Sequence, residues 1–315
     1  MPPRRSILSV PGHMAKMHAK ALGSRADNIL FDLEDSVPLE AKEEARRQII
    51  RTLAAADEEG PLLSFRINAL DTPFGYRDLL EVVEAVGRRL ATVVIPKVND
   101  PGDIHFAERL IDGIALAKGK TLAIGIEASI ETARGLDQVK KIARAGRRVR
   151  SLVFGIADYA ASVGARLVSL SGHGEREEEI YPGHRWHYAV SRIVMAAKAR
   201  GLTAIDAPYG YFKDETGLER AAQMACALGC DGKWAIHPAQ IAVINRAFTP
   251  STEDIERAGK ILAAAEAART GGRGAVAVEG RMVDQATVGL ARRVWDQARA
   301  LRLVDTPGNT EQETP

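Results

Sequence analysis

Short β-branched apolar runs recur through the first 240 residues, separated by amphipathic stretches with helical spacing. The runs predict strands at Ser6–Val10, Asn28–Asp32, Leu62–Ile67, Thr92–Pro96, Leu122–Ile130, Ser151–Phe154, Thr203–Ile205 and Gly232–Ile236. Between them, Ala41–Ala54, Tyr76–Val86, Gly102–Ala117 and His187–Ala199 read as amphipathic helices. Strand–helix alternation of this kind implies a parallel sheet covered by helices. Eight units in a row favour an α/β fold of the (β/α)8 TIM-barrel type over an open doubly wound sheet. A six-strand sheet with two misread loops would look similar.

After Phe248-Thr249-Pro250 the pattern changes. Ser251 or Thr252 can cap a helix to about Arg269, and Thr270-Gly271-Gly272-Arg273-Gly274 breaks it. Ala275–Val283 alternates around Glu279-Gly280 like a small hairpin, and a last helix covers Gln285–Leu301. The predicted organisation is a barrel over residues 1–248, a helix–hairpin–helix lid over 249–304, and a polar, disordered tail over 305–315. Within the barrel, the charged, glycine-containing segment Ser169–Gly183 reads as an exposed excursion.

In a barrel, reacting groups sit where strands end at the carboxyl face. Here those ends are unusually polar: Asp32-Leu33-Glu34-Asp35, Arg66-Ile67-Asn68, Pro96-Lys97, Gly155-Ile156-Ala157-Asp158, Asp206 and His237-Pro238. Alternation puts Glu127, Ser129 and Glu131 on one face of the fifth strand. Converging carboxylates with few cysteines or histidines suit a hard, oxygen-liganded cation such as Mg2+ or Mn2+. The plainer reading is that some of these acids, Asp206 and Glu127 above all, only pair with Arg66 and Lys97.

Other signals fail. Gly113 and Gly119-Lys120-Thr121 resemble a phosphate loop, but five residues intervene where four are needed. His184 and His187 lack further zinc ligands. The basic run Lys140–Arg150 reads as a solvated helix end. Cys226 and Cys230 are too few for a disulfide framework or a four-thiolate zinc site, and read as inert buried thiols. With 43 Lys and Arg against 41 Asp and Glu, the chain carries no excess basic field for nucleic acid. Neither a signal-peptide core behind Met1-Pro2-Pro3-Arg4-Arg5-Ser6 nor a membrane-length apolar run is visible, so a cytoplasmic protein with no membrane partner is expected.

Several stretches together resemble the citrate lyase β-subunit-like (HpcH/HpaI aldolase/citrate lyase) family of (β/α)8 lyases. They include Val10-Pro11-Gly12, Phe31-Asp32-Leu33-Glu34-Asp35-Ser36-Val37, Arg66-Ile67-Asn68-Ala69-Leu70-Asp71-Thr72-Pro73 and Ile95-Pro96-Lys97-Val98. Further along come Ile130-Glu131-Thr132-Ala133, Phe154-Gly155-Ile156-Ala157-Asp158-Tyr159, Asp206-Ala207-Pro208-Tyr209-Gly210 and Gly280-Arg281-Met282-Val283-Asp284. Trp186-His187-Tyr188 and Gly232-Lys233-Trp234-Ala235-Ile236-His237-Pro238 point to the malyl-CoA branch.

The resemblance implies that Glu131 and Asp158 bind Mg2+, with Mn2+ as a substitute, and that Glu34 and Asp35 hold metal-bound waters. It implies that Arg66 contacts the thioester oxygen, and that Asp284 is an acid/base on the lid, reaching a neighbouring subunit of a trimer or hexamer. Relatives often have a Ser-Arg-Pro type sequence after Val10-Pro11-Gly12. Here His13-Met14-Ala15-Lys16 stands instead, which leaves Lys16 and Lys20 as contacts for the CoA phosphates.

The implied activity is reversible, Mg-dependent cleavage of a 3-hydroxyacyl-CoA such as L-malyl-CoA or β-methylmalyl-CoA. The products are glyoxylate and acetyl-CoA or propionyl-CoA. A malyl-CoA thioesterase, a citramalyl-CoA lyase, a CoA-independent class II aldolase and a non-catalytic scaffold are the alternatives.

Overall fold

Eight mutually parallel strands close on themselves in chain order, the last pairing with the first through Ser6–Lys233, Ile7–Trp234 and Leu8–Ala235. The first half runs β1 (Ser6–Pro11), α1 (Ala15–Leu22), β2 (Asn28–Asp32), α2 (Lys42–Ala55), β3 (Leu62–Arg66), α3 (Gly75–Val86), β4 (Thr92–Ile95) and α4 (Pro101–Ala117). The second runs β5 (Gly125–Ile130), α5 (Ala133–Ile142), β6 (Val149–Phe154), α6 (Ile156–Ser162), α7 (His187–Lys198), β7 (Thr203–Asp206), α8 (Glu215–Leu228), β8 (Gly232–Ala235) and α9 (Gln240–Ala247). The expected (β/α)8 barrel is therefore present. The computed structural model describes residues 3–304 except 58, 176–183, 271–275 and 279, so the expectation for 305–315 lies outside the described residues.

Strands buried on both faces, such as β2, need apolar residues throughout, which is why their sequences read as runs. Helix starts follow local chemistry. Asp100 accepts from the Gly102 amide and forms a reciprocal capping box with Asp103, with Pro101 entering α4; Thr132 caps α5 and Asp214 caps α8.

The barrel interior is layered. Ile7, Leu30, Val94, Val153, Ile205 and Trp234 form an apolar cluster distinct from the shell between strands and helices. Towards the amino ends of the strands, Arg4 donates to Glu127 Oε2 at 2.8 Å and to Ser151 Oγ at 3.1 Å, while Ser64 bridges Asn28 and Thr92. Two expectations change here. Glu127 pairs with Arg4, and Asp206 with Lys233 at 2.5 Å; neither pairs with Arg66 or Lys97. Alternation sets the face but not the height, and four residues along a strand drop Glu127 roughly 13 Å below Glu131.

Three further expectations are corrected. β5 starts at Gly125 and not Leu122, because the Leu122 and Ile124 carbonyls accept from the Arg148 guanidinium at 2.8 and 3.0 Å. Arg148, in the run read as solvated, is thus buried and also ion-paired with Asp112. Cys226 is exposed; only Cys230 is buried.

The described residues form two compact units, one Arg4–Phe248 and the other Pro3 together with the segment from Thr249 onward. The second contains α10 (Thr252–Thr270), an antiparallel pair β9 (Val276–Val278) and β10 (Arg281–Val283), and α11 (Gln285–Ala300). Gly280 turns the hairpin at φ +76°, a conformation glycine adopts without steric cost. Ala258 and Ala268 on α10 are buried, as are Ala291 and Ala298 on α11, and such small residues permit close helix approach. Among the described residues no helix is long and apolar enough to cross a membrane.

Candidate active site at the carboxyl face of the barrel

Arg66 ends β3 with its guanidinium buried. Its Nε and Nη2 donate to the two Asp32 oxygens at 2.6 and 2.8 Å, and Nη1 lies 2.6 Å from Glu34 Oε2. Its charge also sits 5.5 Å from the centre of the Trp234 ring. Asp32 in turn accepts from the Glu34 and Ser36 amides at 3.0 and 3.2 Å, and from Ser36 Oγ at 2.5 Å. Beneath that turn the buried Lys42 ammonium donates to the Leu33 and Glu34 carbonyls at 2.7 and 2.6 Å. The guanidinium is therefore fixed in plane and position. It carries five N–H bonds, so this holding leaves donors for a ligand.

Burial alone would raise the Asp32 carboxyl, but the Arg66 charge and the hydrogen bonds from Arg66 and Ser36 hold it down to about 2. A group depressed on folding stabilises the native state above its unfolded pKa. That share, about 2 kcal/mol, is complete above about pH 4 and disappears as pH falls through about 2. Urea unfolding from neutral to acid pH should show this loss in the wild type and not in Asp32→Asn. Identical acid dependence in the two proteins would mean that the pairing does not stabilise the fold.

Glu131 follows β5 directly. Its Oε1 accepts from the Lys97 amide at 2.5 Å and its Oε2 from Ser129 Oγ at 2.8 Å. Burial pushes its carboxyl up, the Arg66 charge opposes that, and Asp158 adds repulsion. Gly155 is required beside it, since a Cβ there would collide with the Glu131 carboxylate. Asp158 stands in the first turn of α6, half-exposed, with Lys97 Nζ 3.7 Å from Oδ1. Glu34 is buried; burial raises its carboxyl against the pull of Arg66, while Glu131 and Asp35 push the same way as burial.

Arg66, Glu131, Asp158 and Asp35 line one cavity of about 350 Å³ at the carboxyl face, together with Trp234 and His173. The structure thus gathers most of the residues read from sequence. Lys16 and Lys20 lie exposed one turn apart on α1 and are not among the residues lining that cavity. Asp284, in the other unit, caps α11: its Oδ1 accepts from the Thr287 amide at 2.9 Å and from Thr287 Oγ1 at 3.0 Å.

Sequence reasoning missed Asp32 and Trp234 as holders of Arg66, although the Asp32–Ser36 spacing was a usable turn signal. It missed Lys42, for which no signal exists. It also missed His173. The segment Ser169–Gly183 was expected to be exposed, but Glu175 is buried and accepts from Ser169 and Ser171 at 2.8 and 2.5 Å, while the Gly210 amide donates to the His173 carbonyl at 3.0 Å. Residues 176–183 of it lie outside the described residues.

The donor set suits a hard dication. Among the described residues no three His, Cys, Asp or Glu side chains are disposed to hold one ion together. Mg2+, however, usually takes one or two carboxylates and keeps waters for the rest. Glu131 and Asp158 supply two carboxylates to the lining of one cavity, which Arg66 also lines.

A closed parallel barrel with carboxylates and a clamped arginine at its carboxyl face can hold a dication and stabilise developing negative charge, and its family places it among aldolases and carbon–carbon lyases. The chain belongs to the HpcH/HpaI aldolase/citrate lyase family, whose model matches residues 5–238. It is 39% identical over 304 residues to the L-malyl-CoA/β-methylmalyl-CoA lyase of Cereibacter sphaeroides, covering 95% of this chain and 96% of that protein. It is 34% identical to the malyl-CoA/β-methylmalyl-CoA/citramalyl-CoA lyase of Chloroflexus aurantiacus, covering 96% and 90%. Among solved structures it resembles protein CitE of Mycobacterium tuberculosis in complex with magnesium, acetoacetate and coenzyme A. The TM-score is 0.74 at 29% identity, covering 94% of this chain and 98% of that one.

Proposed function

We propose that the protein reversibly cleaves a 3-hydroxyacyl-CoA, L-malyl-CoA or β-methylmalyl-CoA, into glyoxylate and acetyl-CoA or propionyl-CoA, with Mg2+ at Glu131 and Asp158. The observation that carries this is the convergence of Arg66, Glu131 and Asp158 on one cavity, in a chain with near full-length similarity to lyases of that name. Glu34 and Asp35 would hold metal-bound waters, and Lys16 and Lys20 would meet the CoA phosphates. The working form would be a cytoplasmic homo-oligomer.

Cleavage removes the 3-hydroxyl proton and breaks the C2–C3 bond, and the thioester enolate left behind takes up a proton at C2 to give acetyl-CoA or propionyl-CoA. Bound Mg2+ would polarise the carbonyl and carboxylate of the departing glyoxylate. Arg66 would stabilise negative charge on the thioester oxygen, since Asp32 and Glu34 fix it before the substrate arrives. Asp284 would take the hydroxyl proton and, in the condensing direction, return one to the alkoxide.

Incubation with acetyl-CoA or propionyl-CoA, glyoxylate and Mg2+ should give a mass-detectable adduct. Release of free CoA from malyl-CoA without glyoxylate would identify a thioesterase instead. A single methyl group separates the candidate substrates, a difference worth only ~1–3 kcal/mol.

Arg66→Lys keeps the charge but loses the planar fork that Asp32 grips. Turnover should fall about 10²-fold. A raised Michaelis constant with unchanged turnover would show that Arg66 only binds substrate.

A further inference from the structure

Lys97 holds a conformation its side chain does not favour. Its φ is +49°, in the left-handed region that lysine rarely enters. The surrounding loop fixes it there. The Val98 amide donates to the Ser129 carbonyl at 3.2 Å, and Asn99 Nδ2 donates to the Lys97 carbonyl at 2.9 Å. Asn99 Oδ1 in turn accepts at 2.7 Å from Thr132, the residue that caps α5. Backbone strain maintained by so many partners tends to mark a functional position.

The conformation does two things at once. It aims the Lys97 amide at Glu131 Oε1, 2.5 Å away, and sends the side chain back across the acids. Nζ lies 2.6 Å from Glu34 Oε1, 3.7 Å from Asp158 Oδ1 and 3.8 Å from Asp35 Oδ1. One residue thus touches or faces every carboxylate assigned to the metal and its waters.

We propose that Lys97 is a positioning residue that sets the affinity of the Glu131–Asp158 pair for a divalent cation. Its amide orients Glu131, and its ammonium offsets the surplus negative charge of Glu34, Asp35 and Asp158. Arg66 already pairs with Asp32 and Glu34, and a site with four carboxylates and Arg66 as the remaining counter-charge would bind a dication more tightly and neutralise more of it. The ammonium keeps binding weaker and leaves more of the cation's charge to act on a substrate oxygen. This inference rests on the metal reading of Glu131 and Asp158.

The sign of the effect is its test. Lys97→Met removes the charge and keeps the length, and should bind Mg2+ about tenfold more tightly by titration calorimetry without acyl-CoA, as expected for loss of one nearby like charge in a partly solvated site. The gain should shrink at high salt, and Lys97→Arg should stay close to wild type. Lys97→Gly is the second variant: glycine takes the positive φ freely and keeps the amide, so it too should bind more tightly. A lysine that merely supported the loop would weaken Mg2+ binding when replaced. Equal or weaker affinity in a folded Lys97→Met or Lys97→Gly protein overturns the proposal. Wild-type protein that binds no Mg2+, or Asp158→Asn protein that binds it normally, would instead overturn the metal reading, and this inference with it.

Discussion

Glu131→Gln and Asp158→Asn proteins are each expected to lose about 10³-fold or more in turnover and to bind Mg2+ more weakly. A metal acting as Lewis acid supplies several kcal/mol of transition-state stabilisation, and each amide removes a charged ligand while nearly preserving shape. The two substitutions should differ in their effect on stability. Burial disfavours the Glu131 charge, so the neutral glutamine should melt no lower than wild type. Asp158 is half-exposed, and its replacement should scarcely move the melting temperature. Chelator-treated wild type should recover with Mg2+ or Mn2+. Full activity in metal-free buffer would refute the role of both carboxylates.

The second large effect is expected at Asp284, where two roles make opposite forecasts. The structure shows the residue as a helix cap, accepting from Thr287. Asparagine caps a helix about as well as aspartate, so Asp284→Asn should keep the cap and the melting temperature. An acid/base lost at that position should cost on the order of 10²–10⁴ in rate. Wild-type turnover in Asp284→Asn would reduce the residue to its capping role. Alanine, by contrast, should also cost about 1 kcal/mol of stability. Action across subunits has its own test: exchange of inactive Asp284→Ala chains with inactive Asp158→Asn chains should restore partial activity. Verified mixed oligomers without any recovery would rule out service to a neighbour, though not catalysis within one chain.

Much of the site is legible in the sequence. Arg66, Glu131 and Asp158 each lie at or just past a strand's carboxyl end, and barrel geometry brings such ends together wherever they fall along the chain. Lys97 is legible only as a pairing partner, because nothing in Pro96-Lys97-Val98 announces a positive φ at a lysine. That backbone state is imposed by hydrogen bonds from Asn99 and to Ser129, the latter on a neighbouring strand.

The alternation of strands and helices in a parallel α/β fold follows from the amino-acid order alone, because strand periodicity, helix periodicity and caps such as Asp100, Thr132 and Asp214 are local and agree with one another, whereas closure into a barrel is decided by the pairing of β8 with β1. The face of β5 that carries Glu127, Ser129 and Glu131 follows from that order too. It took the closed fold to assign Glu127 to a buried pair with Arg4, while Glu131, four residues on, faces the cavity with Arg66. Height within a closed barrel depends on the register of neighbouring strands, and charge partners 123 residues apart, as Arg4 and Glu127 are, leave no trace in local spacing. The clamp of Asp32 on Arg66 is set by the register of β2 against β3, and the reach of Lys97 across three carboxylates by the gathering of strand ends at one face; no single segment encodes either.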